Sequence, residues 1–150
     1  MRQLYNRIVN MIARGTVSQA NSAGKLQTLQ IPLLANETKD GIEHFEPFGV
    51  TGNPPVDAEA LVVFLEGDRS HGIAIAATDR RVRPKNLAVG DVALYNAAGV
   101  VIKITGTTVQ ITGATTVNVT GGDITADGIS LKNHVHGGVQ GGYSNTGAPH

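Results

Sequence analysis

The chain has 150 residues and carries 12 Lys plus Arg against 12 Asp plus Glu, so no net field draws it to nucleic acid or to an anionic membrane surface. It has no cysteine, which excludes disulfide staples, thiolate metal sites and a cysteine nucleophile and leaves His and carboxylates as the metal donors. Large core side chains are scarce, with three Phe, three Tyr and no Trp beside 19 Gly, and residues 101–150 contain no Phe, so the C-terminal third cannot bury a core alone.

In the first 14 residues Leu4, Ile8, Met11 and Ile12 recur at helical spacing, Arg2, Arg7, Asn10 and Arg14 fill the other faces, and Gly15 stands where the pattern ends. The spacing predicts an amphipathic helix over residues 2–14, within an N-terminal segment 1–15. Its narrow apolar face favours docking to protein over anchoring at a membrane surface. No stretch resembles a signal sequence and nowhere do ~18 apolar residues run together, so the chain is expected to be soluble.

From Thr16 to Ile104 the signals are short β runs separated by turn chemistry: Thr16–Ala20, Lys25–Ile31, Leu61–Leu65, Gly72–Ala77, Val92–Tyr95 and Val100–Ile104. Gly67-Asp68-Arg69-Ser70 joins two apolar strands as a hairpin would, Thr51-Gly52-Asn53-Pro54-Pro55 is a loop, and Ala97-Ala98-Gly99 offers a tight reversal. Five or six short strands over residues 16–104 suit a small OB-like barrel, with a β-sandwich as the alternative.

After Ile104 the composition shifts to Thr, Val, Ile and Gly. Thr107-Thr108-Val109-Gln110-Ile111-Thr112-Gly113 is echoed by Thr115-Thr116-Val117-Asn118-Val119-Thr120-Gly121, and more weakly by Asp123 to Leu131. Short strands with Gly at each corner are the signature of a β-helix, here over residues 105–133. Three narrow rungs enclose too little apolar area, at ~25 cal/mol per Å², to offset an ordering cost of roughly 1 to 2 kcal/mol per residue. A lone chain should not hold this shape. Three copies wound about a shared axis would bury each Val and Ile against its symmetry mates and pair the open strand edges. The expected fold is therefore all-β, an OB-like barrel followed by an intertwined trimeric β-helix. The alternative is a disordered Thr/Gly-rich tail, against which the β-branched alternation argues.

Directly after the repeats stand His134-Val135-His136. On an extended strand His134 and His136 project to one side, and three-fold symmetry would bring six imidazole nitrogens around the axis. Such a set suits Fe(II), Co(II) or Ni(II) better than tetrahedral zinc, and iron is the most available, so one structural iron per trimer is expected at His134 and His136 of each chain. The bland alternative is a pair of surface histidines. Filled by protein donors, such a site would clamp and not catalyse. Asp123 and Asp127 are read as solvated corners, with a bound cation such as Ca²⁺ as the alternative. His44, His71 and His150 have no partner at ligand spacing, and residues 137–150 form a Gly-rich tail.

Two other function classes fare worse. An enzyme needs paired carboxylates in a cleft or a nucleophile beside a base, and neither arrangement nor an aromatic-lined sugar cleft is legible. An OB-fold binder of oligosaccharide or single-stranded nucleic acid combines a basic groove with aromatic platforms. The basic cluster Arg80, Arg81, Arg83 and Lys85 contains no aromatic residue.

Leu65-Glu66-Gly67-Asp68-Arg69-Ser70-His71-Gly72-Ile73, Gly90 to Tyr95 leading into Gly99 to Ile104, and the Thr/Val repeats ending at His134-Val135-His136 follow one another in an order that resembles the phage Mu-type baseplate spike, or baseplate assembly protein V. The resemblance implies a non-enzymatic homotrimer at the tip of a contractile phage tail in the virion, made in the host cytoplasm. It implies a barrel that attaches to baseplate hub and tail tube proteins, a β-helix tapering to a His-bound iron, and transient piercing of the host outer membrane. The 14-residue tail after the His pair departs from a pointed apex.

Overall fold

The computed structural model describes residues 2–34, 37–135 and 138, and the chain divides into two units, 1–113 and 114–150. The first unit is built almost wholly of strands. A helix α1 (Arg2–Val9) precedes β1 (Ile12–Thr16), β2 (Gln19–Asn21), β3 (Gln27–Leu34), β4 (Glu37–His44), β5 (Glu59–Phe64) and β6 (Gly72–Thr78). These six strands form one sheet in the order β1-β5-β6-β4-β3-β2. All its pairings are antiparallel except β4 with β6, which run parallel through Glu43↔Ile73 and His44↔Ala74.

The sheet's two outer strands, β1 and β2, are consecutive in the chain and are separated only by Val17 and Ser18. At that point the ladder passes from one neighbour to the other. Val17 N–H donates to the Ala58 carbonyl (2.8 Å) and Ser18 N–H to the Gln30 carbonyl (2.9 Å). The sheet thus curls until β1/β2 serves as both of its edges, which removes the unpaired edge that an open sheet would present. Gly15 permits the crossing: a Cβ there would stand 2.5 Å from Ile31 Cγ2 and 2.6 Å from the Pro32 carbonyl oxygen.

Inside the curl lie Val17, Leu29, Ile31, Ile42, Ala58, Ala60, Val62, Phe64 and Ala74. The alternation of β5, with Ala60, Val62 and Phe64 buried, is the period-two pattern of a strand with one face on a core. Two polar side chains share this interior because each satisfies the other. The His44 ring nitrogen Nδ1 lies 2.8 Å from Gln27 Oε1, across a directly paired position of β3 and β4. Arg69 caps the core, its guanidinium 4.6 Å from the centre of the Phe64 ring while it forks onto the Glu37 carboxylate.

The strands at 92 and 101 occur where the sequence puts them, but they stand outside the curled sheet. β7 (Val92–Tyr95), β8 (Val101–Thr105) and β9 (Thr108–Thr112) make a separate antiparallel sheet, so the first Thr/Val repeat is its third strand. Asn96 closes the β7–β8 turn by accepting from the N–H groups of Ala98 and Val100 on its side-chain oxygen.

The N-terminal helix ends five residues short of the expected position. From Ile12 the chain runs as β1, paired with β5 from Ile12↔Val63 to Thr16↔Glu59. The helical spacing of Ile8, Met11 and Ile12 is local, whereas a strand through 12–16 pairs its backbone with β5 and leads Val17 into the core, and that tertiary gain overrides the local period. β4 was absent from the sequence expectation, since Glu37, Lys39, Asp40 and Glu43 mask the alternation that buries only Ile42 and His44.

Gly15→Ala should lower unfolding stability by about 1–3 kcal/mol through overpacking at the β1–β3 crossing, measured by urea denaturation. A wild-type midpoint would mean that the two strands do not cross at this distance.

Candidate functional site

In the second unit, described from Ala114 to Val135 and at Gly138, the regular elements are β10 (Thr125–Ala126) and β11 (Ile129–Ser130). They pair antiparallel as Thr125↔Ser130 and Ala126↔Ile129, leaving a two-residue loop. Both loop residues have positive φ, 49° at Asp127 and 83° at Gly128, as the tight hairpin turn whose twist matches its strands requires, and Asp-Gly is a favoured dipeptide there.

Asp123 ties this hairpin to the chain on either side. Its Oδ1 accepts from the N–H groups of Ile124 (2.8 Å) and Lys132 (3.1 Å), and its Oδ2 accepts from the Ser130 hydroxyl. The same hydroxyl oxygen accepts from the Asn133 N–H at 2.7 Å. The Ser130 hydrogen bond, then the two backbone donors, hold the Asp123 carboxyl below its ordinary range although burial opposes them. Sequence reading singled out Asp123 as a corner or a cation ligand; here the carboxylate braces a turn. Asp127, also a candidate for Ca²⁺, is a turn residue of the hairpin.

His134 follows directly. Its N–H donates to the Ser130 carbonyl (3.1 Å), and its ring Nδ1 lies 2.9 Å from that oxygen and 3.1 Å from the Leu131 carbonyl oxygen. A carbonyl oxygen can only accept, so Nδ1 carries a proton, which in the neutral ring puts the lone pair on Nε2. A metal-ligating imidazole is oriented in this way, one nitrogen donating to a backbone carbonyl and the other presenting its lone pair. His134 therefore fits the role of a metal donor. His136 lies outside the described residues. Among the described residues no three His, Asp or Glu side chains gather closely enough to hold a metal ion.

No side chain from 114 to 135 is buried. Val117, Val119, Ile124, Ile129 and Leu131 are all exposed, by 48% to 65%. The unit is ordered by turn hydrogen bonds and not by a core.

Residues 14–81 match the family model of the N-terminal part of bacteriophage Mu Gp45, and residues 128–150 match the GpV apex motif, which begins at the glycine of the hairpin turn and takes in His134 and His136. The chain belongs to the Mu-type baseplate spike family. It is 38% identical over 102 residues to the baseplate puncturing device gp45 of Escherichia phage Mu, a stretch that covers 68% of this chain and 52% of that protein. It is 37% identical over 111 residues to the Mu-like prophage FluMu protein gp45 of Haemophilus influenzae, covering 69% and 60% of the two chains. The chain thus spans little more than half the length of the curated relatives it matches.

In this family member part of the basic cluster read from sequence is engaged internally. Arg80 pairs with Glu59, which also receives Arg14, and Arg81 forks onto Asp79 at 2.6 Å. The Arg81 hydrogen bonds hold the Asp79 carboxyl below its usual value.

The depressed Asp123 pKa makes the brace pH-dependent. Its contribution is fully present above the ordinary unfolded value of 3.8 and is lost as pH falls through the lower folded value. Ser130→Ala should raise the Asp123 pKa toward 3.8 and speed exchange of the Lys132 amide by a factor of roughly 3 to 10, the worth of one net hydrogen bond. Carboxyl NMR titration and amide exchange would read both, and an unmoved Asp123 titration would dismiss the brace.

Proposed function

We propose that this chain is a structural, non-catalytic subunit of the central spike at the tip of a contractile phage tail baseplate, acting in the virion as a homotrimer that pierces the host outer membrane. The observation that carries the reading is the unit from 114 to 135: it has turns and short strands but no interior, and Val117, Val119, Ile124, Ile129, Leu131 and Val135 stand in solvent, the last three within the apex motif. Such a segment would gain stability by burying those side chains against other copies of itself, as an intertwined trimeric β-helix does. Membership of a family whose phage Mu representative is called a baseplate puncturing device gives that assembly its setting.

The curled sheet is read as an OB-like barrel. Its cyclic order, with β1/β2 contacting β3 at one end and β5 at the other and a parallel β4–β6 pair, supports that reading. As the broad end of the spike it would attach to baseplate hub and tail tube proteins, the chain being made in the host cytoplasm and meeting the outer membrane only transiently.

His134 and His136 of each of three chains would hold one structural iron, which supplies a coordination cross-link between chains. The residues of this chain prepare that role. The Ser130 and Leu131 carbonyls fix the His134 tautomer, and Asp123 fixes the turn that carries those carbonyls. The work of penetration asks stiffness and a narrow profile of the chain, not proton transfer or a nucleophile.

Native mass spectrometry of the untagged protein should give a three-chain species with one iron mass per three chains. The double change His134→Ala and His136→Ala should remove the metal and leave the curled sheet folded by circular dichroism. Full metal content in that variant rejects the site, and a metal-free single chain in the parent rejects the assembly.

A further inference from the structure

The curled sheet closes at β1/β2 but parts between β4 and β6. These two strands pair only through Glu43↔Ile73 and His44↔Ala74, after which the Phe45 N–H donates to the Ala74 carbonyl (2.9 Å). β6 runs on to Thr78, held on its other side by β5 through Leu61↔Ala76, Ala60↔Ala77 and Glu59↔Thr78. Among the described residues nothing pairs with Ile75, Ala76, Ala77 or Thr78 on the β4 side. The chain leaves β6 there, and the gap is a groove of about 620 Å³, floored by those four residues and walled by the loop 45–55 and by Tyr95 at the end of β7.

The loop cannot fill the gap with its own backbone. Pro54 and Pro55 have no N–H to donate. The segment before them is folded onto itself: the Val50 N–H donates to the Pro47 carbonyl (3.1 Å), and the Glu46 carboxylate accepts from the Thr51 hydroxyl (2.9 Å) and the Gly52 N–H (2.6 Å). The other ionisable side chains of β4 and β6's end that line the groove are also engaged, His44 with Gln27 and Asp79 with Arg81. What is left for a guest is a four-residue strand edge and apolar surface, with Phe45, Val50 and Ile75 exposed by 51% to 53%.

We infer that the groove is a strand-addition site, in which an extended, uncharged segment of a second protein lies along Ile75 to Thr78 and pairs with β6 in the position that β4 vacates after His44. In this mode main-chain hydrogen bonds give the attachment, and alternate side chains of the guest meet the walls. The free edge is about 13 Å long, four residues of strand. A charged segment would find no unpaired counter-charge, and an oligosaccharide would find its hydroxyls facing polar side chains that are already bound. In the spike proposed above the second protein would be a neighbour in the baseplate, and only that placement rests on the spike reading.

The probe is the uncharged peptide acetyl-Ser-Val-Thr-Val-Ser-amide, titrated into the isotope-labelled full chain. Saturable amide NMR shifts are expected at Ile75 to Thr78. A version N-methylated at alternate residues, which keeps the side chains but loses donors, should bind at least about tenfold more weakly, the worth of one to two net hydrogen bonds. Val50→Glu, a change on the exposed wall, should weaken the parent peptide while leaving the urea midpoint unchanged. Equal binding of the N-methylated peptide overturns strand addition, as do unmoved amides at Ile75 to Thr78. If those amides resist exchange in the assembled protein and lose that protection in the single chain, a second copy already covers the edge and the inference also falls. The subunit count from native mass spectrometry judges the spike reading separately.

Discussion

Burial in this chain ends where the curled sheet ends, and that limit shapes everything after residue 91. Up to β6 the chain solves its own packing problem: nine apolar side chains fill the interior, and β1/β2 closes the sheet on both sides. Beyond it the aliphatic side chains continue at strand spacing, on β7 to β9 and again from Val117 to Leu131, with nothing of their own chain over them. The hydrophobic effect does not tolerate such a distribution in an isolated molecule, because the ordering entropy of each strand is then unmatched. Association with further copies, as proposed above, would cover these side chains.

The apex follows a different logic. Its order comes from polar groups used locally: one carboxylate and one hydroxyl organise the backbone from Ile124 to Asn133, and two carbonyls then orient an imidazole. No apolar core is needed for this. A metal held there would join chains at the place where hydrophobic contacts are fewest.

The strands at 72, 92 and 101 were legible in the sequence because their alternation is clean and Gly or Asn punctuates them. β4 was not, since its outward positions are charged and only Ile42 and His44 turn inward. The end of α1 was misplaced because helical spacing in 8–12 is a local signal, while the pairing of Ile12 with Val63 is a distant one. For the same reason the separation of β7 to β9 from the curled sheet could not be read, as periodicity identifies strands but not their neighbours. His134 stands out in the sequence by its spacing from His136, whereas the Asp123–Ser130 brace was not legible there. The Asp127-Gly128 dipeptide between two short β segments was the available signal for the hairpin that brings Ser130 to Asp123.

The brace also bears on how the molecule is made. The hydrogen bonds described for residues 123 to 134 join near neighbours in sequence, and a tight hairpin of this kind closes within ~1–10 μs. The curled sheet must instead bring Ile12 to Val63 before its core can form, a slow step because the loop entropy is lost before the contacts are made. The C-terminal hairpin can therefore form and re-form in each chain on a shorter timescale than the curled sheet closes. In the three-chain assembly proposed above, copies joined first through this turn would fold their curled sheets while already held together.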